Sequence, residues 1–141
     1  MGYRSTVAYT IRFTAPYPTT ETPTDEELTK CKASFYTFLA EAKVKYGGAV
    51  EDDCMKVDEA NMALNFLTQD VKWYESYPEV QIHHDLMALS QEWADEGETA
   101  NPYIGGIFMR IGEELEDIVQ EGWGEHDWDW MCIHREISVD W

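Results

Sequence analysis

The chain has 141 residues, 44% apolar and 13% aromatic: enough for one domain with a real hydrophobic core, and too apolar for a disordered acidic tail. Twenty-eight Asp and Glu against ten Lys and Arg give a formal charge of −18, which repels nucleic acid and anionic lipid and attracts basic protein surfaces. No run approaches the roughly 18 continuous apolar residues of a membrane span, and no basic segment leads into an apolar run as in a signal peptide.

Residues 3–14 alternate. Tyr3, Ser5, Val7, Tyr9, Ile11 and Phe13 fall on one side, and Arg4, Thr6, Ala8, Thr10, Arg12 and Thr14 on the other, which predicts a half-buried strand. The first six residues also fit an N-myristoylation pattern. A lone acyl chain without a polybasic patch binds weakly, so a strand that starts there is the simpler reading. Residues 15–23 hold three prolines and read as an extended loop. Thr24 with Glu27 makes a capping box. Leu28, Cys31, Phe35, Phe38, Leu39, Ala42 and Tyr46 then trace an apolar helical stripe, and Gly47-Gly48 supplies a stop.

Residues 51–59 are acidic and read as loop, and residues 61–68 as a central strand. Pro78 sits at the first turn of a second helix, where its missing amide costs nothing. Val80, His83, Leu86, Met87, Leu89, Ser90 and Trp93 trace its inner face, and Gly97 ends it. Residues 103–111 read as a strand, Gly112 as a turn and residues 115–121 as a returning strand. In that first strand Gly105-Gly106 suits a bulge or a close backbone approach, since no phosphate-loop ending or helix follows. Residues 128–139 read as a last strand, with Met131, Ile133, Ile137 and Val139 on one face and Arg135 among them. The fold class that follows is α+β: one domain over residues 1–141, a two-layer sandwich of a mostly antiparallel sheet of about five strands with two helices on one face.

The segment EGWGEHDWDW at 121–130 draws the eye. As strand residues, Trp128 and Trp130 share a face while Asp127 and Asp129 take the other, so one side packs and the other stays wet. Core packing accounts for at least two of Trp123, Trp128 and Trp130; an exposed remainder ringed by acids is a binding anchor. The candidate contact set is Glu121, Trp123, Glu125, Asp127, Trp128 and Asp129. Eight acids between positions 113 and 129 without one basic residue strengthen it, although a charge run is more often a solvated face.

Other chemistries are weaker. His83-His84-Asp85, with His126 and His134, invites a metal reading, but adjacent helical residues diverge by about 100°, and no paired cysteines or HExxH appear. His83 at the core edge and His84 in solvent is the plainer account. Cys31, Cys54 and Cys132 are odd in number and form no CxxC, as in reduced cytosolic thiols. No serine lies in a GxSxG context, so no catalytic residue is assigned and no cofactor or metal is expected. All four arginines, Arg4, Arg12, Arg110 and Arg135, fall on predicted strands. Each is expected to pair with carboxylates. If Arg4, Arg110 and Arg135 converge, they form an alternative site for an anionic small molecule or nucleotide.

MGYRS at the start, WYESYPEVQ at 73–81, MRIGEE at 109–114 followed by DI at 117–118, and HREI at 134–137 together resemble a family of small proteins encoded by bacteriophages and prophages. The Pro/Thr segment 15–24 and the Trp-rich segment 123–130 stand outside the resemblance. It implies an α+β protein of the host bacterial cytoplasm and brings no catalytic residue with it. Charge and resemblance together lead to the expectation of a non-enzymatic accessory protein that binds and inhibits a basic host protein. A nucleic-acid-binding defence factor is one such target, met through an acidic, nucleic-acid-like surface, with no direct contact to nucleic acid or membrane.

Overall fold

A computed structural model describes residues 3–13, 24–95, 104–114, 116–124, 128–131 and 133. The elements are β1 (Ser5–Phe13), α1 (Asp25–Val50), β2 (Met55–Asp58), β3 (Ala63–Val71), α2 (Pro78–Asp95), β4 (Ile104–Gly112) and β5 (Ile118–Gly124), followed by a short 3-10 turn, Trp128–Trp130. The strands form one antiparallel sheet in the order β2-β3-β1-β4-β5. Elements β1 to β4 with the two helices make the split β-α-β-β-α-β arrangement of ferredoxin-like folds, and β5 extends one edge. The expected sandwich of sheet and two helices is what forms. Among the described residues no helix is long and apolar enough to cross a membrane.

Alternation in β1 does what the pattern requires. Val7, Tyr9, Ile11 and Phe13 are all buried beneath the helices. Phe13 meets Phe35, Phe38 and Trp93 at ring separations of 5.6–6.4 Å, contacts worth about 0.5–1.5 kcal/mol each beyond simple burial. Thr24 caps α1 by accepting from the Glu27 amide at 3.2 Å. Every residue of the expected α2 stripe is buried or partly buried. Trp93 ties the helices together by donating to Glu41 Oε2 at 3.2 Å.

Four expectations are corrected. Gly47-Gly48 does not stop α1, which bends at Tyr46 (φ −135°, ψ 42°) and continues to Val50. A Cβ at Gly48 would lie 3.0 Å from Ile82 Cδ1, so the glycine admits α2 at close range. Residues 51–59 contain the edge strand β2, whose Met55 is buried while the acids around it stay wet. The returning strand lies three residues later than expected, at Ile118–Gly124, which places Trp123 inside it. Trp128 and Trp130 sit in a 3-10 turn, so the strand face they were expected to share does not exist. Positions 134–139 of that predicted strand, the ending Gly97 and the 15–23 loop lie outside the described residues.

Candidate functional site: an aromatic and acidic notch

Beside the N-terminal half of α2, the helix-facing side of the sheet forms a notch of about 640 Å³. Pairing explains who reaches it. Tyr9, Phe108 and Glu121 are in register across β1, β4 and β5, and so are Val7, Arg110 and Val119. Parity therefore sends Phe108, Arg110, Val119 and Glu121 to the helix side. The connection into α2 supplies Trp73, Tyr74 and Glu75, α2 supplies His84, and the chain start supplies Tyr3 and Ser5.

The floor is tied by one ion pair. Arg110 grips Asp117 with both terminal nitrogens, at 2.7 and 3.0 Å, and also reaches Ser5 Oγ at 3.3 Å. Tyr3 donates its phenol proton to Asp117 at 2.6 Å, and its oxygen accepts from the Glu114 amide at 3.2 Å. The Tyr3 amide donates to Tyr74 Oη at 2.8 Å. The bond to Asp117 holds the Tyr3 phenol above its usual pKa and raises the Arg110 guanidinium as well. A Cβ on Gly112 would overlap both the Tyr3 ring and the Asp117 carboxylate, so a side chain there would displace this pair.

Above this floor the walls are aromatic. The His84 ring lies 5.6 Å from Phe108 and 5.7 Å from Trp73. Trp73 Nε1 donates to His84 Nε2 at 3.2 Å. The bond uses the Nε2 lone pair, so the tautomer that makes it carries its proton on Nδ1. His84 is therefore part of a wall and not a solvent residue. Glu75 and Glu121 are exposed at the rim. Three carboxylates face one guanidinium, a formal −2 with His84 neutral, and the guanidinium is already occupied. Aromatic faces with surplus carboxylate suit a cation.

The sequence-level contact set is dispersed. Trp123 is 9% exposed and donates to Ser90 Oγ at 2.8 Å, so it belongs to the core and not to a contact surface. Glu121 stands at the notch rim, and Trp128 is 47% exposed. Glu125, Asp127 and the Asp129 side chain lie outside the described residues. The arginine set does not converge either. Arg110 is spent on Asp117, while Arg4 lines a separate cleft and donates to the Asp70 carbonyl at 3.0 Å. Arg135 lies outside the described residues.

His83 has a different role from its neighbour. It is 1% exposed and links three segments: Tyr9 Oη to Nδ1 at 2.7 Å, and Nε2 to Asp52 Oδ2 at 3.0 Å. A carboxylate only accepts, so Nε2 carries the proton and Tyr9 donates to Nδ1. Burial holds the His83 pKa below 6.5 although Asp52 pulls it up. Both ring nitrogens are used and Tyr9 is fully buried, so the chain of bonds is a tie between helix, sheet and loop. Among the described residues no three His, Cys, Asp or Glu side chains gather to hold a metal.

Sequence reasoning passed over Tyr3, Trp73, Tyr74, Glu75 and Asp117 as site residues. The stretches quoted for the resemblance, at 1–5, 73–81, 109–114 and 117–118, contain Tyr3, Ser5, Trp73, Tyr74, Glu75, Arg110 and Asp117, whereas His84, Phe108, Val119 and Glu121 come from outside them. Compared with known proteins, the chain matches no family model, no curated protein and no solved structure.

Proposed function

We propose that this chain is a non-enzymatic binding protein whose notch receives a lysine or arginine side chain from a basic surface of a partner protein. The observation that carries the reading is the pairing of aromatic walls with two rim carboxylates, Glu75 and Glu121, that no described residue engages in a hydrogen bond or ion pair. The field of the −18 chain steers the partner inward and the notch fixes its register. In the phage setting implied by the resemblance, occupying a host factor's basic cleft in this way would inhibit it. Convergence of the resembling stretches on the notch supports this extension.

The test separates the notch from the general field. An arginine-rich peptide is titrated into the unmodified chain, into Glu75→Gln/Glu121→Gln, and into Glu26→Gln/Glu51→Gln, which makes the same charge change at the two ends of α1. Two weakened contacts of about 0.7 kcal/mol each raise the dissociation constant about tenfold in the notch variant. The α1 variant changes it less than about threefold, by the long-range field alone. Equal losses in the two variants overturn the notch as the site.

A further inference from the structure

The opposite face of the sheet carries a second concavity, independent of the notch. The helices cover one side of the strands; on the other, a groove of about 900 Å³ runs over β2, β3, β1 and β4 and is flanked by the turn that holds Trp130. Its body is apolar, with Leu67 from β3 and Met109 and Ile111 from β4. Leu67, which lies just past the end of the β2–β3 pairing, is 54% exposed.

The charges in this groove run against the rest of the chain. Among the described residues, Arg12 and Lys56 line it together with a single acid, Asp53, in a molecule with 28 acids and ten basic residues. The Arg12 guanidinium stacks over Trp130, 4.9 Å from the ring centroid. Its Nε–H is buried and has no hydrogen-bond partner among the described residues. Asp58 feels the Arg12 charge, yet its oxygens are taken by Asn61 through the amide at 3.1 Å and the side chain at 2.7 Å. Buried donors without acceptors are rare, and one held beside an apolar groove calls for an acceptor from outside the chain.

We infer that this groove binds a small amphipathic carboxylate: its single negative charge on Arg12, helped by Lys56, and its hydrocarbon body along Leu67, Met109 and Ile111. A monoanion fits better than a phosphate. One aromatic-stacked guanidinium and one exposed ammonium share the wall with Asp53, and the field of the whole chain penalises each added negative charge. Pockets of this size commonly pair an apolar lining with few polar anchors. Reaching Nε obliges the Trp130 ring to slide, so occupancy moves Trp130.

The experiment uses the full chain with decanoate below its micellar range, and methyl decanoate as the uncharged match. Calorimetry gives affinities, and amide NMR gives location. The inference requires saturable decanoate binding, shifts at Leu67, Met109, Ile111 and Trp130, and clearly weaker binding of the ester. Arg12→Gln then weakens decanoate about tenfold while changing the ester less than about twofold, since a charge-assisted bond is lost and the apolar contact is kept. Equal affinity for acid and ester, an unchanged affinity in Arg12→Gln, or no saturable binding overturns it. If Arg12→Gln does not fold, the comparison of acid with ester on the unmodified chain decides alone.

Discussion

Gly106→Ala tests whether Trp123 is a fixed part of the interior. Gly106 and Trp123 face each other across β4 and β5, and a Cβ on Gly106 would overlap Cε2 and Cζ2 of the indole. The indole cannot give way cheaply, because it is buried and its Nε1–H is committed to Ser90 Oγ at 2.8 Å, while Ser90 in turn donates to the Met87 carbonyl at 2.6 Å. Overpacking costs about 1–3 kcal/mol, and the lost indole bond about 1 kcal/mol. Alanine returns about 0.5–1 kcal/mol by restricting the unfolded chain. The net expectation is a loss of about 2 kcal/mol, or a melting temperature lower by about 6–10 °C for a chain of this size. Urea unfolding followed by circular dichroism measures it. In a Trp123→Ala background the same substitution should stabilise by about 0.5–1 kcal/mol, so the double-mutant cycle returns a coupling of about 3 kcal/mol. An equal cost in both backgrounds refutes the packing argument and would return Trp123 to the surface.

Two further predictions concern charge. Arg110→Met removes a bidentate partner from Asp117 where both side chains are less than a third exposed (21% and 27%), and should destabilise the chain by about 1–3 kcal/mol in urea unfolding; a change under about 0.5 kcal/mol would show the pair to be a surface ornament. His83 is held neutral by burial, its folded pKa lying below the unfolded value near 6.5, so the unfolded chain takes up the proton first. Its contribution is complete above about pH 6.5 and is lost as pH falls from there through the lower folded value. The stability difference between the unmodified chain and His83→Gln, measured at pH 7.5 and pH 5, should therefore shrink on acidification. Carboxylate repulsion changes alike in both, so a constant difference contradicts the assignment.

Periodicity made the architecture legible. The period-two run from Tyr3 and the stripes on α1 and α2 each had one apolar side that only a shared core can accept. What escaped was local. Four residues of β2 carry too little pattern to stand out among acids, and its pairing with β3 is a tertiary fact. Gly47-Gly48 has a strong stop signal, but the gain from packing α2 over Gly48 and burying Ala49 and Val50 outweighs it. A three-residue displacement of β5 was enough to move Trp123 from a proposed contact into the interior. The notch was illegible for a related reason: Tyr3, Glu75 and the Arg110–Asp117 pair are far apart in sequence, and only strand register and the turn into α2 bring them together. His83 and Asp52, separated by 31 positions, show the same limit.

The central claim is that a cation seats between the aromatic walls and the rim acids of the notch. Amide NMR of the labelled chain titrated with an arginine-rich peptide at physiological salt tests it most directly. The account predicts saturable shifts concentrated at Trp73, Glu75, His84, Phe108 and Glu121, with the acids of α1 unmoved. Small shifts spread evenly over exposed carboxylates, with the notch residues still, would contradict it.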